Sequence, residues 1–359
     1  MTDKTHPGNS FEDFAPGQIL NHAGARTVTD GDHALYLALT GDRHPLYCDA
    51  EFARALGYIS NITNDLLVFH IVFGKSVPDI SLNAIANLGY ADLRFLQPVY
   101  SGDTLRAQSE VIGIKQNRNG KSGIVYVHTH GLNQRDEVVV QFYRWVMVRK
   151  RDESAPAPDP SIPELPSEVA PDAFTIDETL SPDTIKAARW PGPNFYEDYE
   201  AGERIHHGPG TTIEEAEHAL ATRLYQNTAR VHFDGHYMQK SGSGKRLVYG
   251  GHVISLAHAM AYSGIENALR ILAWNGGTHA NPLHAGDTLY AFTDVLESKA
   301  IPNRDDLGAL RLRLVGVKNH DPQEESLQIR VTNPENGRET YHSNVVLDLD
   351  YYVLVPRKP

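Results

Sequence analysis

The chain repeats itself, and this repetition restricts its fold more than any other feature. Phe11-Glu12-Asp13-Phe14 followed by Gly17 returns as Tyr196-Glu197-Asp198-Tyr199 followed by Gly202, at an offset of 185. Thr27 and His33 map onto Thr212 and His218 at the same offset. Gly102-Asp103-Thr104-Leu105 returns as Gly286-Asp287-Thr288-Leu289 at an offset of 184, and each copy has a proline at matching distance upstream, Pro98 and Pro282. Four matches in order at near-constant spacing imply a duplicated domain. The 359 residues suit that reading, being too many for one ordinary domain and enough for two with a core each.

The join is legible as well. Six prolines stand from Arg151 to Pro171, the last of them Pro171 itself, interleaved with acidic and small residues. Proline donates no amide hydrogen and restricts the residue before it, so 151–171 reads as an extended, semi-rigid linker. Residues 1–150 and 172–359 are then the two domains. In each, a short helix comes first. Thr29 or Asp30 can cap one through Ala34, Leu35 and Leu39; the second is expected from Thr212, with Glu214, Glu215 and Glu217 in its first turn. A longer apolar helix follows, Leu66 to Lys75 and His252 to Tyr262, and strands run to the end of each copy. Leu310, Leu312 and Leu314 alternate with Arg311 and Arg313, the pattern of an antiparallel strand with one wet face, while Phe142, Trp145 and Val148 suggest a more buried strand. The fold class is α+β, each domain an antiparallel sheet wrapped round a central helix.

Composition narrows the function. A formal net charge of −12, with no basic stripe, argues against a nucleic-acid partner but leaves phosphate-bearing small molecules open. No apolar run approaches the roughly 20 residues of a membrane span. Met1-Thr2-Asp3-Lys4 has no apolar signal core, and the single cysteine, Cys48, fits a reducing compartment, so a cytoplasmic location is expected.

The segment Thr40-Gly41-Asp42-Arg43-His44-Pro45-Leu46-Tyr47-x-Asp49 resembles the hydratase motif of the MaoC-like, R-specific enoyl-CoA hydratases, approximately Ser/Thr-Gly-Asp-x-Asn-Pro-Ile/Leu-His-x-Asp. The Pro98 to Leu105 strand entry resembles a second hallmark of that family. The runs Leu66–Lys75 and Arg223–Phe233 are similar to the branch acting on methyl-branched dicarboxylic enoyl thioesters. The resemblance implies a double hot-dog fold, reversible hydration of an enoyl-CoA, and an Asp/His catalytic pair. In this chain the first copy has Asp42 but Tyr47 at the histidine position. At the 185 offset, the second copy has Asn227 at the aspartate position and His232 at the histidine position. Tyr249-Gly250-Gly251-His252 stands where the family has His-Gly-Met opening the central helix, against Asn64-Asp65-Leu66 in the first copy.

Hydration needs a base for water, a proton donor for the α-carbon, and donors for the enolate oxygen. His232 can supply the first two in turn. Asn227 can orient the water, and the Gly250 and Gly251 amides at a helix start can hold the oxyanion. An acid at the start of the first central helix is wrong for that task, so the second copy is expected to be active and the first structural. Arg230 could grip a free carboxylate on the acyl group, Asp234 could replace the missing acid, and Lys245 or Arg246, with Tyr249, could contact the substrate. Plainer readings stand beside these. His232 could be a hydrogen-bonded structural histidine, Asn227 a helix cap, Arg230 half of a salt bridge, Gly250-Gly251 a tight turn, and Asp42 a turn residue or a partner shared with His232 between the halves.

Ser241-Gly242-Ser243-Gly244-Lys245-Arg246 lacks the leading glycine and the closing Ser/Thr of a phosphate-binding loop, and reads as a flexible loop. His232 and His236 are four apart, but no His-Glu-x-x-His helix exists, so no metal is expected. No cofactor is expected either; coenzyme A enters as part of an acyl-CoA substrate, and a homo-oligomer is anticipated. Thioester hydrolysis and non-catalytic acyl-CoA binding remain the alternatives.

Overall fold

The computed structural model describes residues 4–240, 244–334 and 337–359. The first half contributes four long strands, β1 (Ala84–Phe95), β2 (Thr104–Gln116), β3 (Ser122–Leu132) and β4 (Val138–Arg149). The second half contributes β5 (Ile271–His279), β6 (Thr288–Ile301), β7 (Arg304–Lys318) and β8 (Val345–Pro356). Their order across the sheet is β2-β3-β4-β1-β5-β8-β7-β6, so the second half mirrors the first. Antiparallel pairing of Leu93 with Trp274 and of Arg94 with Ala273 joins the halves into one sheet. An extra hairpin, Arg330–Thr332 with Glu339–Tyr341, lies between β7 and β8 and lengthens the second copy.

Alternation sets which side of each strand is wet. Arg311 and Arg313 on β7 pair at 2.7 Å with Asp350 and Asp348 on β8, while Leu310, Leu312 and Leu314 are fully buried. On β4 the buried face is Phe142, Arg144, Val146 and Val148. Trp145 lies on the opposite, half-buried face, contrary to its expected grouping with Phe142, because successive side chains on a strand point to opposite sides.

Two central helices, Asp65–Ser76 and Gly250–Ala261, are wrapped by this sheet, and every residue of the first is buried. A helix apolar all round has no wet face to offer and must be enclosed. Phe69 packs against Phe142 and, across the halves, against Trp274, with ring centroids 5.1 and 4.9 Å apart. A polar seam also links the halves: His70 Nε2 and the Tyr36 hydroxyl both meet Ser255 Oγ, at 2.7 and 2.9 Å. His70 and Ser255 occupy the same position in the two copies. Among the described residues no helix is long and apolar enough to cross a membrane.

The short leading helix of the first half, Asp30–Thr40, is capped by Thr29 in a reciprocal box with Asp32. Its counterpart is Glu215–Leu224 and starts later than expected, since Thr212 is held in a two-residue strand pairing with Thr288. The 151–171 strap has neither α-helix nor long strand and is tied to the sheet at its middle and near its end. Ser161 donates to the Ile114 carbonyl at 2.9 Å, and Val169, which is buried, donates to Asn275 at 2.8 Å.

Candidate active site

Two related sites arise where the motif loop of one half meets the central helix of the other. In the second copy the Glu215–Leu224 helix ends and Gln226 takes a left-handed backbone, φ 55°, which turns Asn227 inward. Gly41 does the same ahead of Asp42 with φ 70°. The loop then passes so close to the first central helix that a Cβ on Gly74 would overlap the Tyr225 carbonyl. Asn227 is buried, and its Oδ1 accepts from the Ala229 amide at 3.0 Å, which leaves its NH2 to face outward. A cleft of about 650 Å³ opens here, lined among others by Gly74, Lys75, Pro78, Arg223, Asn227 and Phe233.

His232, beside Phe233 in the wall, is 7% exposed. The Leu247 amide donates to the Val231 carbonyl at 3.0 Å, and His232 Nδ1 donates back to the Leu247 carbonyl at 2.8 Å. This clamp fixes the tautomer, leaving Nε2 as the lone-pair nitrogen. Burial, reinforced by nearby His218, lowers its pKa to about 4, so the ring is neutral at pH 7. Its centroid lies 5.6 Å from that of Tyr249, the residue that caps the second central helix. The first helical bonds come from His252 and Val253 to the Tyr249 carbonyl, which puts the Gly250 and Gly251 amides ahead of the helical ladder, at its electropositive end.

The glycines have a packing role too. A Cβ on Gly250 would lie 2.6 Å from the His279 ring, and one on Gly251 would lie 2.5 Å from the Tyr249 ring. The space expected to admit the thioester is therefore filled by these two rings on the Cβ side.

The first copy is closed. Asp42 accepts from the His44 amide and from Asn64 Nδ2 at 2.9 and 2.7 Å. It shares with His44, Tyr47 and His258 a void of only about 20 Å³, room for about one water. Asp42 thus belongs to a different pocket from His232. Asp65, at the start of the first central helix, is bound by Arg270 through two contacts of 2.8 Å and by the Tyr47 hydroxyl at 3.1 Å. Arg270 also grips Asp177 at 2.6 Å, which accepts from Tyr58 at 2.5 Å. Burial opposes the guanidinium charge, but Asp177 and Asp65 outweigh it and hold Arg270 firmly protonated. This network occupies the helix start that the second copy leaves to the glycine amides.

The remaining candidates lie apart. Arg230 is largely solvent-exposed, pairs with Asp234 at 3.0 Å and lies over the Tyr237 ring at 4.6 Å. That is the plain salt bridge, and it engages both Arg230 and Asp234 at the surface. Arg246 is paired with Glu215, and Lys245 is exposed beside it. Ser241-Gly242-Ser243 of the same loop lies outside the described residues.

Arg144 was not singled out in the sequence, though its parity with Phe142, Val146 and Val148 carries the signal: a guanidinium on the inner face of a strand. It is 0% exposed. Its Nη2 donates to Ser76 Oγ at 2.7 Å, and its Cζ sits 4.2 Å over the Phe73 ring. Among the described residues Nε and Nη1 have no hydrogen-bond partner.

Two central helices wrapped by one antiparallel sheet, with a motif loop in each half, define a double hot dog of the MaoC-like kind. A structure described as a putative MaoC domain protein dehydratase from Chloroflexus aurantiacus superposes with a TM-score of 0.91, at 50% identity and full coverage of both chains. A Mycobacterium tuberculosis protein described as having a double hotdog fold superposes at 0.74, with 26% identity, over 97% of this chain and 98% of that one. The chain belongs to the mesaconyl-CoA hydratase family, whose model matches residues 1–326. It is 52% identical over 358 residues to a beta-methylmalyl-CoA dehydratase of Chloroflexus aurantiacus, covering all of both. It is 51% identical over 354 residues to a mesaconyl-CoA hydratase of Cereibacter sphaeroides, covering 99% of this chain and all of that one.

Proposed function

We propose that this chain adds water reversibly to 2-methylfumaryl-CoA (mesaconyl-CoA), giving (2R,3S)-β-methylmalyl-CoA, at the site of the second copy. The observation that carries this is the neutral, tautomer-fixed His232 beside the residue that opens the Gly250-Gly251 helix start. The first copy, with a water-sized void and a carboxylate at the same helix position, leaves no comparable place for an acyl group.

The acyl-CoA enters through the cleft, where Lys75 and Arg223 offer positive charge to the nucleotide end. The Asn227 NH2 holds a water by its oxygen. His232 Nε2 takes one proton as the water oxygen bonds to C3. The double-bond electrons move to the thioester oxygen, which the Gly250 and Gly251 amides and the helix end stabilise. The enolate collapses as C2 takes the proton from His232 Nε2, so water is added and the histidine is restored. The pKa of about 4 makes imidazolium a strong acid here, which favours that second transfer. The reaction so written needs no metal or redox group.

The test follows enoyl absorbance in the ultraviolet with mesaconyl-CoA. The purified chain is expected to deplete it without releasing free thiol, and His232→Ala is expected to lose at least ~100-fold in kcat. Thiol release would replace hydration with hydrolysis. An undiminished rate in His232→Ala would remove the assignment.

A further inference from the structure

A charge inside a protein is normally matched by another. Arg144 is not: among the described residues no carboxylate lies within salt-bridge distance, and two of its three guanidinium nitrogens bond nothing. A buried, unpaired guanidinium is costly to keep, and the surrounding groups do not relieve it. Ser76 gives one neutral acceptor and Phe73 a ring face. Tyr249, whose buried hydroxyl is also without a partner, adds a second unused donor. A fully buried guanidinium with two unused nitrogens, one ring away from an unused phenol, has the makings of a receptor for an anion.

Its position fits the reaction. Ser76 lies between Lys75 and Pro78, both lining residues of the cleft. The rings run from His232 to Tyr249 at 5.6 Å, from Tyr249 to Phe73 at 5.7 Å, and then to the Arg144 guanidinium at 4.2 Å above Phe73. The catalytic imidazole and the guanidinium thus flank the Tyr249 and Phe73 pair.

We infer that Arg144 receives the free carboxylate of the acyl group, with the Tyr249 hydroxyl beside it, and so selects dicarboxylic over monocarboxylic enoyl-CoA. This rests on the reading that the second copy is the reacting site. It gives Arg144, not the surface residue Arg230, the carboxylate-gripping role. The carboxylate sits on C3, the carbon that water attacks, so neutralising it also keeps that carbon electrophilic. Burial lowers the Arg144 pKa only to about 10, which leaves it charged at neutral pH. The sealed site lacks the device: strand position 351 of the second half, equivalent to 144 of the first, is Tyr351, set against His258, which lines the sealed site and is the counterpart of Phe73.

The test separates this role from the chemistry. Succinyl-CoA and butyryl-CoA, neither of which can be hydrated, are titrated by calorimetry into wild-type chain, Arg144→Lys and Arg144→Gln, with thermal melts as the folding control. Wild type is expected to bind succinyl-CoA at least ~10-fold more tightly. Arg144→Gln is expected to abolish the preference and Arg144→Lys to retain part of it. In turnover, Arg144→Gln is expected to lose ~10- to 100-fold in kcat/KM on mesaconyl-CoA and less than ~3-fold on crotonyl-CoA. Equal wild-type binding of the two thioesters, or equal losses on both enoyl substrates, overturns the inference. If Arg144→Gln does not fold, the wild-type pair and the lysine variant still decide. A wild type that prefers succinyl-CoA but hydrates neither enoyl-CoA would sink the proposed reaction and leave the arginine assignment standing.

Discussion

Replacing Asp65 by asparagine tests whether the first copy is structure alone. Asp65 is buried and takes two hydrogen bonds of 2.8 Å from Arg270 and one of 3.1 Å from Tyr47. Asparagine keeps one acceptor but turns an amide NH2 toward a guanidinium that can only donate. Removing one partner of a buried pair costs about 3–5 kcal/mol. Arg270 keeps Asp177 at 2.6 Å, so the lower end applies, about 3 kcal/mol. At 2–4 °C per kcal/mol, that is a fall in Tm of roughly 6–12 °C. The assay pairs a calorimetric melt with kcat/KM for mesaconyl-CoA at 25 °C, where the variant remains folded. The melt should drop while activity per folded chain stays within about twofold. An unchanged Tm would refute the energetic argument; a large loss of activity in folded Asp65→Asn would refute the division of labour between the copies.

Other outcomes follow from the same geometry. The acidic limb of kcat/KM should centre near pH 4, where His232 Nε2 takes a proton, and a limb near 6.5 would mean its burial is relieved. Stability should fall as pH drops from about 6.5 toward 4, because in that window unfolded histidines bind protons that buried His44, His232 and His279, with pKa lowered to about 4, do not; denaturant midpoints at pH 7 and pH 5 give the check. Gly250→Ala drives a Cβ into the His279 ring and should cost at least ~10-fold in kcat, which a turnover assay reads directly. Gln226→Gly removes a left-handed side-chain residue and should gain about 0.5–1 kcal/mol in chemical unfolding, as Gly41 already does in the other copy.

The architecture was legible because it rests on periodic signals. The repeated tetrapeptides, the apolar central helices and the Leu/Arg alternation of β7 each reflect a face that must be buried or wetted. The proposed site was legible only in part. Motif position led to His232 and Asn227, since those lie on a loop whose spacing the duplication preserves. The closing of the first copy was not, because Arg270 reaches Asp65 from 205 residues along the chain and is itself held by Asp177. Arg230 drew attention by standing inside the motif, yet the turn of Arg230–His232 sends it outward to Asp234. Arg144 was missed for the opposite reason. It sits in no motif, and its inward aim shows only through the two-residue parity of its strand.

The strand pairing that links Leu93 to Trp274 has a further consequence. Two identical subunits meeting along such an edge would be bound by rotational symmetry, and any change in one pocket would be copied into the other. Carrying both on a single polypeptide lifts that restriction. Position 144 can be arginine while 351 is tyrosine, and one helix can begin with two glycines while its twin begins with an ion-paired acid. One pocket is thus free to be filled by ion-paired charges, while beside the other a buried guanidinium stands without a carboxylate partner among the described residues.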